Sequence, residues 1–396
     1  MSLIYLDHAA TTYLLPPVEA AMRPFWSQQY GNPSSLSVLG LSAAGALTEA
    51  RQIVAGVLGA ANDEIVFVGS GTESDNLALQ GVAQAMNEMG EIIVSAIEHP
   101  AVLRAADYLA TLGWQVKIAP VTNKGLVTVD DLLPLLSDKT KLVSIMYANN
   151  EIGTVQPIAQ LVKAVKEKYP TVLFHTDACQ AAPYLDLDVR KLGVDLLSLN
   201  GSKVYGPKGT GLLYVKRGVK LKPMIYGGGQ ENGRRSGTEN LPGIIGLSTA
   251  LQLASRRRVS ESKRVRALRD RLWKGLQKID KVFLNGDKSQ RLPNNLNVTF
   301  ADVEGEAMLL ELNEHGIVAS TGSACASHNL SVSHVLQAIG LRYEMIHGSI
   351  RFTLGYKNTV AQIDKVIEIM PRIVNRLRSL SPVNLQPGKA HPQVKK

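Results

Sequence analysis

The sequence predicts an α/β protein whose mostly parallel sheet is covered on both faces. Three observations carry this. Short apolar runs of strand length alternate with amphipathic stretches of helix length between residues 64 and 200. The turns that follow the apolar runs each carry polar residues: Thr72, His99, Asn150, Asp177, Gln180 and Lys203. Open α/β sheets bind ligands at the carboxyl ends of their strands. Finally, 396 residues, 45% hydrophobic and 19% charged, suffice for a sizeable core and two domains.

Taken in order, Asp7-His8-Ala9-Ala10-Thr11-Thr12 follows a short strand-like start, and Gly31-Asn32-Pro33-Ser34-Ser35 has the composition of a turn. A helix then places Leu47, Ala50, Val54, Val57 and Leu58 on one face. The strand Glu64 to Val68 runs into Gly69-Ser70-Gly71-Thr72-Glu73 and a further helix. Such a turn offers free backbone N–H groups and the positive end of a helix dipole to an anion. It is a candidate phosphate cradle, although it matches no common phosphate-loop pattern and a capped helix without ligand explains it as well.

Strands follow at Glu91 to Ser95, ending at Glu98-His99-Pro100; at Trp114 to Pro120; and at Leu142 to Tyr147, ending at Asn149-Asn150-Glu151. After a helix from Ile158 to Tyr169, the strand Val172 to His175 ends at Thr176-Asp177-Ala178-Cys179-Gln180. The next run, Val194 to Leu199, leads into Asn200-Gly201-Ser202-Lys203, and a Gly-Pro-Lys-Gly turn returns the chain to Leu212. A lysine held between apolar strands can be desolvated, which frees its amine to attack carbonyls. Lys203 is thus a candidate Schiff-base lysine. Alone, its stretch suits an ordinary surface lysine better, since most lysines are solvated; the polar groups on the other strand ends shift that reading.

A glycine-rich loop, Gly227 to Asn240, precedes a helix beginning near Leu241 and forms a second possible anion site. A long charged helix over roughly 250 to 279 reads as the connector to a second domain. There, a strand from Asn294 to Phe300 and a helix from Glu304 to Glu314 precede Thr321-Gly322-Ser323-Ala324-Cys325. Small and polar neighbours mark Cys325 as an accessible, reactive thiol, whereas Cys179 beside apolar strand residues reads as buried and structural. Arg351, on the strand Ser349 to Thr353, can clamp a carboxylate or pair with an acidic neighbour. Residues 381–396 read as a disordered tail.

Composition narrows the classes. Two distant cysteines make no disulfide framework and suit a reducing, cytoplasmic setting. No signal peptide and no membrane span are expected. The net charge of +9 comes partly from the run Arg256 to Lys274 and from the C-terminus, and reads as a solvated helix face and tail rather than a nucleic-acid surface.

These motifs together resemble the NifS/IscS-type cysteine desulfurases of the class-V aminotransferase family. The likeness runs from Tyr5 to Pro382 and includes Leu6-Asp7-His8-Ala9-Ala10-Thr11-Thr12, Gly71-Thr72-Glu73-Ser74-Asp75-Asn76, Asp177-Ala178-Cys179-Gln180, Lys203-Val204-Tyr205-Gly206-Pro207 and Gly322-Ser323-Ala324-Cys325. It implies an aspartate-aminotransferase-like fold (fold type I): a large domain, 13–252, with a mostly parallel seven-stranded sheet, and a smaller α+β C-terminal domain from 1–12 and 253–380. It implies pyridoxal 5'-phosphate held by Lys203, with Asp177 on the pyridinium nitrogen, Gln180 on the ring hydroxyl, His99 stacked on the ring and Asn150 in contact. Gly71, Thr72, Asn200 and Ser202 would hold the phosphate. Thr238 would reach it from the other subunit of a homodimer. Asn32, Asn150 and Arg351 would bind the L-cysteine substrate. Cys325 would take its sulfur as a persulfide and pass it to an iron–sulfur scaffold, a transfer-RNA thiolation enzyme or another acceptor protein.

Two departures stand out. The family usually has Ser-Gly-His-Lys where this chain has Asn200-Gly201-Ser202-Lys203, and it often has a longer, aromatic-containing tail. Other readings are a selenocysteine lyase or another fold-type-I enzyme, and a weakly active sulfur-transfer platform.

Overall fold

A computed structural model describes residues 3–321 and 332–380. Twelve strands appear among them: β1 (Ile4–Tyr5), β2 (Ile65–Val68), β3 (Glu91–Ser95), β4 (Gln115–Ala119), β5 (Thr140–Ser144), β6 (Leu173–Asp177), β7 (Leu196–Asn200), β8 (Gly211–Val215), β9 (Val282–Leu284), β10 (Asn295–Phe300), β11 (Ile317–Val318) and β12 (Ser349–Thr353).

Seven of them form one sheet in the order β2-β8-β7-β6-β5-β3-β4. The pairs from β4 through β7 are parallel, and β8 runs antiparallel between β7 and β2. Two reversals leave β2 pointing the same way as β7. The carboxyl ends of β2, β3, β5, β6 and β7 therefore meet at one edge. Helices cover both faces of such sheets, which is why these strands read as continuous apolar runs rather than alternating ones; β2, β3 and β8 are buried at every position. The edge strand β4 is the exception, with only Ala119 buried. The strand expected to reach Tyr147 ends at Ser144, although the Ile145 and Tyr147 N–H groups still bond the His175 and Asp177 carbonyls of β6.

Helix starts follow their caps. Ser37 caps the helix Val38–Leu58 and Ser70 caps Gly71–Ala85, each hydroxyl accepting a first-turn N–H. The two helices read separately near Leu241 and over 250–279 are one, Leu241–Leu276. At 1.5 Å per residue it is about 54 Å long. Ile244, Leu247 and Leu251 pack in the core of the large sheet, while Leu268, Leu272 and Leu276 pack in a second core. That second core also holds Ile4, Leu6, Phe300, Phe352 and the apolar face Ile363, Val366, Met370 and Ile373 of the helix Val360–Leu380. Its sheet is antiparallel, β12-β10-β9, and the N-terminal β1 pairs in parallel with β11. Among the described residues no helix is long and apolar enough to cross a membrane. Residues 381–396, read from sequence as a tail, lie outside the described residues.

Candidate active site

The shared strand edge collects the residues singled out in the sequence. Lys203 ends a single 3-10 turn directly after β7, and its Nζ donates to the carbonyls of Ala9 at 2.9 Å and Ala10 at 2.5 Å. Gln180 Nε2 donates to the same Ala9 carbonyl at 2.9 Å. The N-terminal motif is therefore a strap across the site. Thr12 fastens it through bonds from its N–H and hydroxyl to the Ser202 carbonyl. Asp177 closes β6, is 6% exposed, and accepts the Cys179 N–H on Oδ1 at 2.8 Å. His99 caps the helix Pro100–Thr111 and accepts the Ala101 N–H on Nδ1 at 3.1 Å. That bond needs an unprotonated Nδ1, so the neutral ring carries its proton on Nε2. Burial, then the positive charges of Lys203 and His334, lower the His99 pKa against the opposing pull of Asp177.

The anion cradle takes shape at the start of Gly71–Ala85. The Ser70 hydroxyl takes the Glu73 N–H and its carbonyl takes the Ser74 N–H. The amides of Gly71 and Thr72 are the first-turn donors these bonds leave for a ligand. A Cβ on Gly71 would lie 2.8 Å from Cys179 Sγ and 3.1 Å from Asn200 Cβ, so only glycine lets the helix start approach the ends of β6 and β7 this closely. The Ser202 hydroxyl and N–H both donate to Asn200 Oδ1, at 3.0 and 3.1 Å. With its oxygen taken, Asn200 turns Nδ2 toward Gly71. Ser202 thus acts on the cradle through Asn200.

Beneath Asp177 lies a buried polar network with no assigned role in the sequence reading. His175 Nδ1 is 2.8 Å from Ser144 Oγ; its Nε2 is 3.0 Å from Ser198 Oγ and 3.7 Å from Asp75 Oδ1. Ser74 Oγ meets Ser198 Oγ at 2.8 Å. Burial lowers the His175 pKa to about 4. Burial, then the Asp177 carboxylate, pushes Asp75 well above the usual carboxylate range. Burial also raises Glu98 to about 8, although its carboxyl accepts from the Ser95 hydroxyl and the Met146 N–H. Both shifts favour the protonated acid, which limits the negative charge buried beside Asp177. Two sequence signals point to this network: His175 and Asp177, two apart on a strand, share a face, and Asp75 lies one turn after Thr72 on a helix face buried against the sheet.

Other candidates are placed differently. Arg351 is buried on β12 and donates to Asp7 Oδ1 at 2.7 Å and to the Asn150 carbonyl at 3.0 Å. Of the two readings from sequence, pairing with an acid is the one seen. Asn32 is exposed, and its side chain accepts the Ser34 N–H of its own turn. Thr238 is exposed on its loop. Cys179 is buried as expected, and burial followed by Asp177 raises its pKa well above the usual thiol value. Cys325 lies outside the described residues.

A glycine-opened cradle, an amide nitrogen turned into it, a strand-end lysine and a buried carboxylate fit the phosphate, the aldehyde and the ring nitrogen of pyridoxal phosphate. Fold and site define a fold-type-I pyridoxal-phosphate enzyme. A family model described as Aminotransferase class-V matches residues 4–366. The cysteine desulfurase IscS of Methanosarcina thermophila is 48% identical over 381 residues, which cover 96% of this chain and 94% of the relative. A solved NifS-like protein superposes with a TM-score of 0.90 at 37% identity, over 95% of this chain and all of that one (100%). A structure described as SspA in complex with cysteine gives 0.80 at 36% identity, over 89% of this chain and 98% of its own. The chain belongs to the class-V aminotransferase family. Its activity is that of a cysteine desulfurase dependent on pyridoxal 5'-phosphate.

Proposed function

We propose that the strand-end residues divide the desulfurase reaction as follows, with L-cysteine as substrate and Cys325 as sulfur acceptor. The observation that carries the reading is the convergence of Lys203 and Gln180 on one carbonyl, that of Ala9, at the edge where Asp177 closes β6. When bound, pyridoxal phosphate supplies an electron sink for carbanion chemistry at the substrate α-carbon. Lys203 tethers the cofactor and, once released, moves a proton at that carbon. Asp177, with Oδ1 engaged by Cys179, offers Oδ2 to keep the ring nitrogen protonated. Gln180 serves the ring hydroxyl. His99 packs on the ring and exchanges protons through Nε2. The Gly71 and Thr72 amides and the Asn200 Nδ2 would hold the phosphate, with Ser202 fixing the Asn200 side chain.

Substrate carboxylate binding would fall to Arg351, with Asn150, whose carbonyl Arg351 binds, and Asn32 as further contacts. Asp7 occupies the Arg351 fork in this structure, so the incoming carboxylate competes with Asp7 for that guanidinium. The Cys325 thiolate then attacks the substrate sulfur. An S–S bond forms, the Cβ–S bond breaks, and its electron pair stays with the carbon skeleton, which leaves as alanine after protonation. The persulfide passes to an iron–sulfur scaffold or a transfer-RNA thiolation enzyme, in a reducing cytoplasm.

A homodimer completes the site. Thr238 and Asn32 are exposed in a single chain, and around Asn32 stand Trp26, Tyr30, Leu36 (91% exposed), Val38 (85% exposed) and Leu41. So much apolar surface in one short stretch suits burial against a second copy. The deciding experiment incubates purified, cofactor-loaded protein with L-cysteine and a thiol reductant and measures alanine and sulfide. Equal amounts of both are expected; alanine without sulfide or persulfide would reject the reading.

A further inference from the structure

A cavity of about 380 Å³ opens beside the second core, walled by Arg269, Trp273, Leu284, Lys288, Arg291 and Leu296, with Asp270 and Ser289 also lining it. None of the strand-end residues lines it. Arg291 is its unusual member. It is 4% exposed, and Nη2 donates to the carbonyls of Ile152, at 2.8 Å, and Asn285. Its Nε has no hydrogen-bond partner among the described residues. The acids close enough to act on it are committed elsewhere. Asp270 binds Arg269 at 2.6 Å. Asp287 accepts the Ser289 and Gln290 N–H groups, each at 2.7 Å, and faces Lys124 at 3.7 Å. A buried guanidinium without its own carboxylate is costly. Burial, with Arg269 adding repulsion, lowers the Arg291 pKa to about 9.

We propose that this cavity binds a small organic anion, a carboxylate or phosphate carried on an apolar or planar body. Arg291 is the buried counter-charge, exposed Lys288 draws the anion in at the rim, and Trp273 with Leu284 and Leu296 packs against the body. The volume is that of a small-molecule pocket rather than an ion site. The site also touches the loop that carries Asn150 and Glu151. Arg291 bridges Thr154, and the Leu292 N–H binds the Gly153 carbonyl at 2.8 Å. Two residues earlier, Glu151 accepts the Ser333 hydroxyl at 2.5 Å, and Asn150 accepts from Arg351.

The test titrates the cofactor-loaded enzyme, whose phosphate cradle is filled, with phenyl phosphate, with phenylacetate and with neutral phenol, following heat and Trp273 fluorescence. Binding of at least one anion but not of phenol is expected, weakened about tenfold in Arg291→Gln and about threefold in Lys288→Gln. The fluorescence change should vanish in Trp273→Phe. A response to phenyl phosphate alone assigns a phosphate ligand, and one to phenylacetate alone a carboxylate. If Arg291→Gln does not fold, the exposed Lys288→Gln and Trp273→Phe decide. No anion binding at millimolar concentration, or binding that neither variant changes, overturns the proposal. Since the readout is neither alanine nor sulfide, its failure is separable from failure of the desulfurase assignments.

Discussion

Asp177 and Thr238 occupy opposite extremes of the same candidate site. Asp177 is buried at a strand end, bonded to the Cys179 N–H and backed by His175, Asp75 and Ser198. Thr238 is exposed on a glycine-rich loop. The difference recurs throughout. Lys203, Gln180, Asn200 and Gly71 belong to the rigid sheet edge and lock one another through hydrogen bonds and close contact. Asn32 stands on an exposed turn. A charge-tuning centre needs fixed dipoles in a place with little water. Substrate entry, sulfur delivery and a second subunit need accessible groups. On the proposed reading the inner half would hold the cofactor, and the outer half is left for what arrives and leaves.

Breaking the inner half should have the largest effect. Lys203→Ala removes the tether, so the visible absorbance of the bound cofactor should be lost and alanine release should fall by about a thousandfold or more. An unchanged spectrum would overturn the tether assignment. Breaking the outer half should look different. Cys325→Ala should abolish sulfide release while leaving that absorbance intact, because the thiol acts after the cofactor is in place. Sulfide release at the original rate in that variant would refute its role as sulfur acceptor.

A smaller effect tests the one position where this chain leaves its family pattern. If Ser202 works by fixing the Asn200 amide, Ser202→Ala loses one of the two hydrogen bonds that hold Asn200 Oδ1 and leaves the amide held by the backbone N–H at 202 alone. Cofactor affinity should weaken about fivefold, the equivalent of about 1 kcal/mol. Asn200→Ala in the Ser202→Ala background should then add less than it does alone. Strictly additive losses in cofactor titrations would mean that the two residues act separately.

How much of this was legible depended on whether a residue's partners lie close in pattern. Strand ends could be read because apolar runs stop where the sheet stops, and the topology brings parallel ends to one edge. The start of Gly71–Ala85 could be read from its Gly/Ser/Thr turn, where Ser70 acts within three residues. The Arg351–Asp7 pair could not, because its members are 344 positions apart and meet only where β12 passes the N-terminal strap. His175 looked like one more residue in an apolar strand; its importance depends on Ser144 and Ser198 on the neighbouring strands. The break expected within Leu241–Leu276 was absent because a change from apolar to charged composition reflects two different cores along one helix, not a change of backbone. In the proposed homodimer Asn32 and Thr238 would depend on surfaces outside a single chain, which no intrachain pattern encodes.

The last predicted effect is on stability rather than activity and concerns the buried acid and base beneath the inner half. Glu98 is raised from 4.5 to about 8, so between those values the folded state holds a proton that the unfolded chain has released. Its contribution is fully present below about 4.5 and is lost as pH rises toward 8. His175 runs the other way. It is lowered from 6.5 to about 4, so its contribution is present above 6.5 and is lost as pH falls through 4. From about pH 4.5 to 6.5 the two slopes oppose, each at most about 1.4 kcal/mol per pH unit. From about 6.5 to 8 Glu98 acts without that opposition. Glu98→Gln should therefore be relatively more stable than the parent at pH 8, and its urea midpoint should rise with pH between about 4.5 and 6.5 as the His175 slope emerges. Asp75 is present in both proteins, so the difference between the two pH profiles reports Glu98 together with its repulsion of Asp75. Parallel profiles for the two proteins would mean that Glu98 is not the neutral acid its burial makes it.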